Sequence, residues 1–246
     1  MCESICQYPL NTTFGKRIIQ LNDHKLRIAK KVVNTFLKPG SSAFIGDGSS
    51  TFYIGLVLFH NPRQLSLWTN HLAIAHEFTL NNNLIEQGIN LNLAGGQVDP
   101  DLMMTWGIRT QKYAEINSKL AQNVILSVSN IFAKEGPAGL EQNSLQIKQA
   151  SINSAISKGK KIIFVSDYSK LSKEYKFDPA MLYSLPSDWQ SILDEYKNLY
   201  IVTTHHPDAG PISGVIPPQP KNEMEWYCHH AGILRLTMKE RFIEIR

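Results

Sequence analysis

Leu26, Ala29, Val32, Val33, Phe36 and Leu37 recur at the three- and four-residue spacing of one helix face, with Asn22 and Asp23 ahead of them as N-cap residues. Pro39 and Gly40 end that helix. Beyond them the pattern shortens. Apolar runs at 42–47, 65–70, 89–94, 124–128, 161–166 and 199–204 have the length of strands, and the stretches 50–59, 71–80, 105–120 and 144–157 read as helices. A glycine- and proline-bearing loop is expected at 134–139. Six strands with helical connections predict an α/β fold: a Rossmann-like, doubly wound, mainly parallel sheet with helices on both faces.

The two ends depart from this rhythm. Residues 1–21 are polar and mixed and predict an irregular or packed-on arm. Residues 211–220 carry four prolines and predict an extended loop. Two β-rich runs at 233–238 and 242–245, around Lys239, Glu240 and Arg241, predict a terminal β-hairpin. The chain thus divides into an arm (1–21), a ligand-binding α/β domain (22–210) and a C-terminal β-rich appendage packed on it (211–246). At 246 residues, one domain with an appendage is the natural reading.

Composition narrows the function classes. The chain is 43% hydrophobic and 19% charged, which is ordinary for a globular core. Its net charge of +4 is spread out, with Lys158, Lys160 and Lys161 the nearest approach to a basic run, so no direct nucleic-acid binding is expected. The longest apolar stretch, 52–59, falls far short of the roughly 18 residues of a membrane span. The start lacks a basic segment leading into an apolar one, and three cysteines (Cys2, Cys6, Cys228) make no disulfide framework. These features predict a cytoplasmic protein that needs no cofactor.

In a doubly wound sheet, ligands bind beyond the carboxyl ends of the strands. The first strand delivers Gly46, Asp47, Gly48, Ser49, Ser50 and Thr51 into a helix N-terminus, where free amides and the helix dipole favour an anion. A tight turn with a hydroxyl cap explains the same residues by folding alone. The other strand ends are polar too: Thr69, Asn70 and His71; Gly95, Gly96 and Gln97; Ser127, Ser129 and Asn130; Ser166 to Lys170; Thr203 to His206. Each alone is a cap or a turn, and their convergence on one sheet edge predicts a small-molecule pocket.

The order of the Arg27, Ile28, Ala29 helix, the 46–51 turn, Trp68, Thr69 and Asn70, Ala94, Gly95 and Gly96, and Asp167, Tyr168, Ser169 and Lys170 resembles the effector-binding domain of DeoR-type sugar-metabolism repressors. The wider superfamily includes ribose-5-phosphate isomerase and glucosamine-6-phosphate deaminase. The resemblance runs from about Leu26 to Thr204 and implies a sugar phosphate, or a related phosphorylated metabolite, held at the 46–51 turn. Asp47 and Asn70 would line the pocket, Lys170 would reach the ligand, and the protein would be a homo-oligomer. Three departures qualify it. The 21 residues before Asn22 do not encode a winged helix-turn-helix. The fourth strand runs into Ser127, Val128, Ser129 and Asn130, where the family places an acidic motif, and the deaminase's Asp-Gly-His signature is also missing. The segment after Thr204 lies beyond the family's usual end.

Isomerisation needs a base beside the substrate carbon, which serine and asparagine do not supply. Binding without turnover is therefore the first expectation. The alternative is a sugar-phosphate isomerase using a displaced acid, with Asp47 the candidate base and Glu135 and Asp167 further options. A third reading is a metal-dependent hydrolase built on His205, His206, His229 and His230, with Cys228 nearby. Adjacent histidines on an extended strand point to opposite faces, so no metal site is expected from them, and a cap or surface role is favoured.

Overall fold

The computed structural model describes residues 7–171, 181–208 and 223–245. It opens with α1 (Thr13–Ile19) and α2 (Asn22–Phe36), followed by β1 (Ser41–Ile45), α3 (Ser49–His60), β2 (Leu65–Thr69), α4 (Leu72–Thr79) and β3 (Ile89–Leu93). A small antiparallel pair, β4 (Gln97–Asp99) and β5 (Met104–Trp106), leads into α5 (Ile108–Leu120) and β6 (Asn123–Ser127). A second antiparallel pair, β7 (Asn130–Phe132) and β8 (Gly136–Ala138), precedes α6 (Gln142–Ser157) and β9 (Lys161–Val165). The remaining elements are α7 (Trp189–Glu195), β10 (Leu199–Thr204), α8 (Glu223–Met238) and β11 (Phe242–Ile245).

Seven of these strands form one parallel sheet in the order β11-β10-β9-β6-β1-β2-β3. Its central strands carry unbroken apolar runs, Ala43 to Ile45, Val124 to Leu126 and Ile162 to Val165, because both faces are covered there. Ala43, Ile45, Ile125, Ile163 and Val165 pack into one core with Ile28, Phe52 and Ile74 of α2, α3 and α4. Phe44, Val124, Leu126, Ile162 and Phe164 alternate with them and pack into a second core with Ala114, Ile152 and Leu234 of α5, α6 and α8. α3 is buried almost all round, which explains why its sequence is apolar on every side. The expected doubly wound α/β fold is thus present.

Several local expectations change. Of the two forms expected for the arm, its described residues take the packed-on one and add a helix: they contain α1, and Tyr8, Phe14 and Ile18 are buried in the first core. The cap of α2 is Leu21 in a left-handed conformation (φ 49°), not Asn22 or Asp23, because only Gln20 and Leu21 turn the chain from α1 into α2. The helix expected from residue 105 begins at Ile108. Gly107 (φ 96°) sets that start, and the Thr105 amide is committed to the Asn70 carbonyl at 2.8 Å. The 134–139 loop is largely the β7–β8 hairpin.

The terminal β-hairpin is also corrected. Ile233 to Met238 belong to α8, and β11 joins the main sheet parallel to β10. Ala231, Leu234 and Met238 are buried at helical spacing, and that period outweighs the strand propensity of the individual residues. The proline-rich stretch 211–220 lies outside the described residues. Among those described, no helix is long and apolar enough to cross a membrane.

Candidate functional site

From β1 the chain builds outward to β2 and β3, and from β6 it builds the other way to β9, β10 and β11. The connections therefore part above the β1–β6 pair, and such a reversal leaves a crevice at the carboxyl ends of the two strands. A cavity of about 160 Å³ lies there. Gly48 and Ser49 line it from the turn after β1, and Ser127, Val128 and Ser129 from the end of β6. Ser144 and Lys148 of α6, Asp167, Ser169 and Lys170 after β9, and Phe14, Arg17, Gln20 and Lys25 from the first two helices complete the wall.

Asp47 ties this wall together. Its Oδ2 accepts from Ser144 Oγ at 2.6 Å and pairs with Lys148 Nζ at 3.2 Å, while its Oδ1 accepts from Asn70 Nδ2 at 3.1 Å. Its backbone carbonyl accepts from Ser127 Oγ at 2.8 Å. Burial by itself would raise the Asp47 carboxyl, but Lys148, Ser144 and Asn70 together hold it below the ordinary carboxylate range. The next residue has to be glycine. Gly48 sits at φ 126°, and a Cβ there would stand 1.9 Å from Ser127 Oγ. Behind the turn, His71 Nε2 lies 3.1 Å from the Gly48 carbonyl, and its ring packs against both Phe14 and Phe52. Burial pushes the His71 imidazole down to about 4, so at neutral pH it is uncharged and donates that hydrogen bond.

Two further charge pairs line the cavity. Arg17 meets Glu141 across the mouth, and Lys170 Nζ lies 3.6 Å from Asp167 Oδ2. Asp167 also accepts from the Ser169 hydroxyl and amide. Burial works to raise the Asp167 carboxyl, yet Lys170, Ser169 and Lys25 leave it lowered.

Of the residues singled out in the sequence, Asp47, Gly48, Ser49, Ser127, Ser129, Asp167, Ser169 and Lys170 line the cavity. Asn70 is buried behind it and holds Asp47. Gly46, Ser50 and Thr51 are buried in the turn: the Gly46 amide bonds the Ile125 carbonyl, and Thr51 Oγ1 donates to the Gly48 carbonyl. Gly95 and Gly96 are not brought to the cavity. Gly96 lines a separate hollow with Trp106 and Ile108, and the Gly95 carbonyl accepts from Thr110. Glu135 is exposed and does not line the cavity. Arg17, Lys25, Ser144 and Lys148 line it without having been singled out in the sequence.

The histidines are divided between elements. His205 Nδ1 lies 2.9 Å from Glu244 Oε1, and the His206 ring packs edge-on against Tyr168. His229 and His230 sit on α8 rather than on an extended strand. Among the described residues no group of three metal-ligating side chains comes together.

Residues 21–184 match the family described as the DeoR C terminal sensor domain. No curated protein matches the chain. Among solved structures, ribose 5-phosphate isomerase from Plasmodium falciparum is similar at 13% identity and a TM-score of 0.40, over 61% of this chain and 53% of that one. The translation initiation factor eIF-2B of Pyrococcus horikoshii OT3 gives 10% and 0.45, over 62% and 49%. Ribose 5-phosphate isomerase a from Methanocaldococcus jannaschii gives 12% and 0.39, over 63% and 56%. The chain spans about half the length of these structures.

Proposed function

The chain belongs to the DeoR C-terminal sensor domain family, and from that premise we propose that it binds a small phosphorylated metabolite, a sugar phosphate, in the β1–β6 cavity without turning it over. One observation carries this reading: Arg17, Lys25, Lys148 and Lys170 all line a cavity floored by the glycine turn that opens α3. Basic side chains and free amides around a small cavity suit a phosphate, and the hydroxyls of Ser127, Ser129 and Ser144 suit a polyol. Asp47, the candidate base, has both carboxylate oxygens engaged and is held ionised, which makes it a weak proton acceptor.

The isomerase reading has one observation of its own. Asp167 and Lys170 place an acid–base pair in the same wall. The low-lying Asp167 carboxyl weighs against it as a base.

Thermal melting against sugar phosphates, the matching free sugars and inorganic phosphate separates the readings. A ligand at about 100 times its dissociation constant stabilises by roughly 2.7 kcal/mol. Stabilisation by a sugar phosphate but not by its free sugar is expected, lost in Lys170→Met, with the ligand recovered unchanged. Turnover abolished by Asp167→Asn would establish the isomerase instead. The absence of any shift would end the phosphate assignment.

Exposed Ile108, Ile116 and Leu120 on α5 support the further expectation of a homo-oligomer, which a light-scattering mass tests directly.

A further inference from the structure

Lys25 is 3% exposed and lies in the first turn of α2, in the cavity wall. Its Nζ donates to the backbone carbonyls of Arg17 and of Gln20, the latter at 2.6 Å. Among the described residues no carboxylate lies within ion-pair distance of it, whereas Arg17 has Glu141, Lys148 has Asp47 and Lys170 has Asp167. The carbonyls that end α1 hold this ammonium by their dipoles, while the N-terminal turn of α2 and Lys170 oppose it and Asp167 attracts it from beyond ion-pair distance. A molecule that enters the cavity with negative charge adds the direct counter-charge that those carbonyls do not supply.

We propose that Lys25 is the residue that makes the cavity selective for a dianionic, phosphorylated ligand over its neutral counterpart, by supplying an ammonium that, among the described residues, has no carboxylate within ion-pair distance. This rests on the phosphate-binding reading above and adds the residue that enforces it. The charged groups around Lys25 come from every side: Arg17 from α1, His24 on its own helix, Asp47 after β1, Glu141 and Lys148 at and on α6, and Asp167 and Lys170 after β9. Burial foremost, then Lys170, with Asp167 opposing, brings the Lys25 ammonium down to about 7. In the empty cavity above that pH the amine is mostly neutral, and an arriving dianion restores its charge by drawing a proton from solvent.

Sulfate is the probe of choice because it stays a dianion across the working range. Calorimetric titration of the protein with sulfate at about pH 8, in two buffers of different ionisation heat, counts protons taken up per anion bound. The wild type is expected to take up close to one. Lys25→Met is expected to weaken sulfate binding at least tenfold and to abolish the uptake. Lys25→Arg is expected to bind with no uptake, since guanidinium is charged throughout.

Undiminished sulfate affinity in folded Lys25→Met would overturn the proposal, and so would undiminished affinity in Lys25→Gln should the methionine variant not fold. If neither sulfate nor any phosphorylated compound binds the wild type, the phosphate-binding reading falls, and this inference with it.

Discussion

Asp47 and Lys148 face each other at 3.2 Å beside the point where the strand order reverses, and both side chains are less than a tenth exposed. The pair joins the turn after β1 to α6. Its partners, Ser144 and Asn70, satisfy the carboxylate from two further directions.

A buried pair of this kind costs most when it is broken from one side. Lys148→Met is expected to destabilise the fold by about 3–5 kcal/mol in urea unfolding, because it strands the Asp47 charge. The double variant Asp47→Asn/Lys148→Met is expected to recover much of that loss. The folded Asp47 carboxyl is lowered from 3.8, so its contribution is complete above pH 3.8 and is lost only as the pH falls below it. If Lys148→Met were as stable as the wild type, the pair would have no structural weight.

His71 gives a separate acid sensitivity. Its neutral ring stabilises the fold fully above pH 6.5 and progressively less as the pH falls toward about 4, where the folded imidazole takes up its proton. The wild type is expected to lose about 3 kcal/mol over that window through this group. His71→Gln, which keeps a donor for the Gly48 carbonyl, is expected to show a flatter stability profile from pH 6.5 to 4.5. Parallel profiles for the two proteins would assign the acid sensitivity elsewhere.

Leu234 and Leu236 distinguish helix from strand at the C-terminal end. On a strand, residues two apart share a face. On α8, Leu234 is fully buried and Leu236 is 55% exposed. Leu234→Ala is therefore expected to cost about 2–5 kcal/mol. Leu236→Ala is expected to stay within about 0.5 kcal/mol of the wild type. Equal costs in thermal or urea melts would restore the strand.

The main strands were legible because they are buried on both faces and read as continuous apolar runs, Ile162 to Val165 most plainly. The turn carrying Asp47 and Gly48 was legible because its glycines and hydroxyls mark the first strand-to-helix junction. Gly95 and Gly96 misled for a geometric reason. They follow β3, which lies two strands from β1, and strands are spaced about 4.8 Å apart, so their turn opens about 10 Å from the reversal. Lys148 and Lys25 left no local sign at all. Each is one lysine on an otherwise ordinary helix, and only the packing of α6 and α2 turns it inward. The tail misled through Ile233, Leu234 and Leu236, whose strand-like composition hid a helical burial period.

The left-handed Leu21 folds α1 back so that Phe14, Arg17 and Gln20 border the cavity. Sequence similarity to the family begins at residue 21, after all three of them. The limit of the family match and the rim of the cavity therefore do not coincide in this chain. A fragment cut at residue 21 would lose Phe14 and Ile18 from the first core and open the cavity on one side, leaving Glu141 and Lys25 without the neighbours that now engage them. What the matched core leaves open as a cavity, the short stretch ahead of it closes.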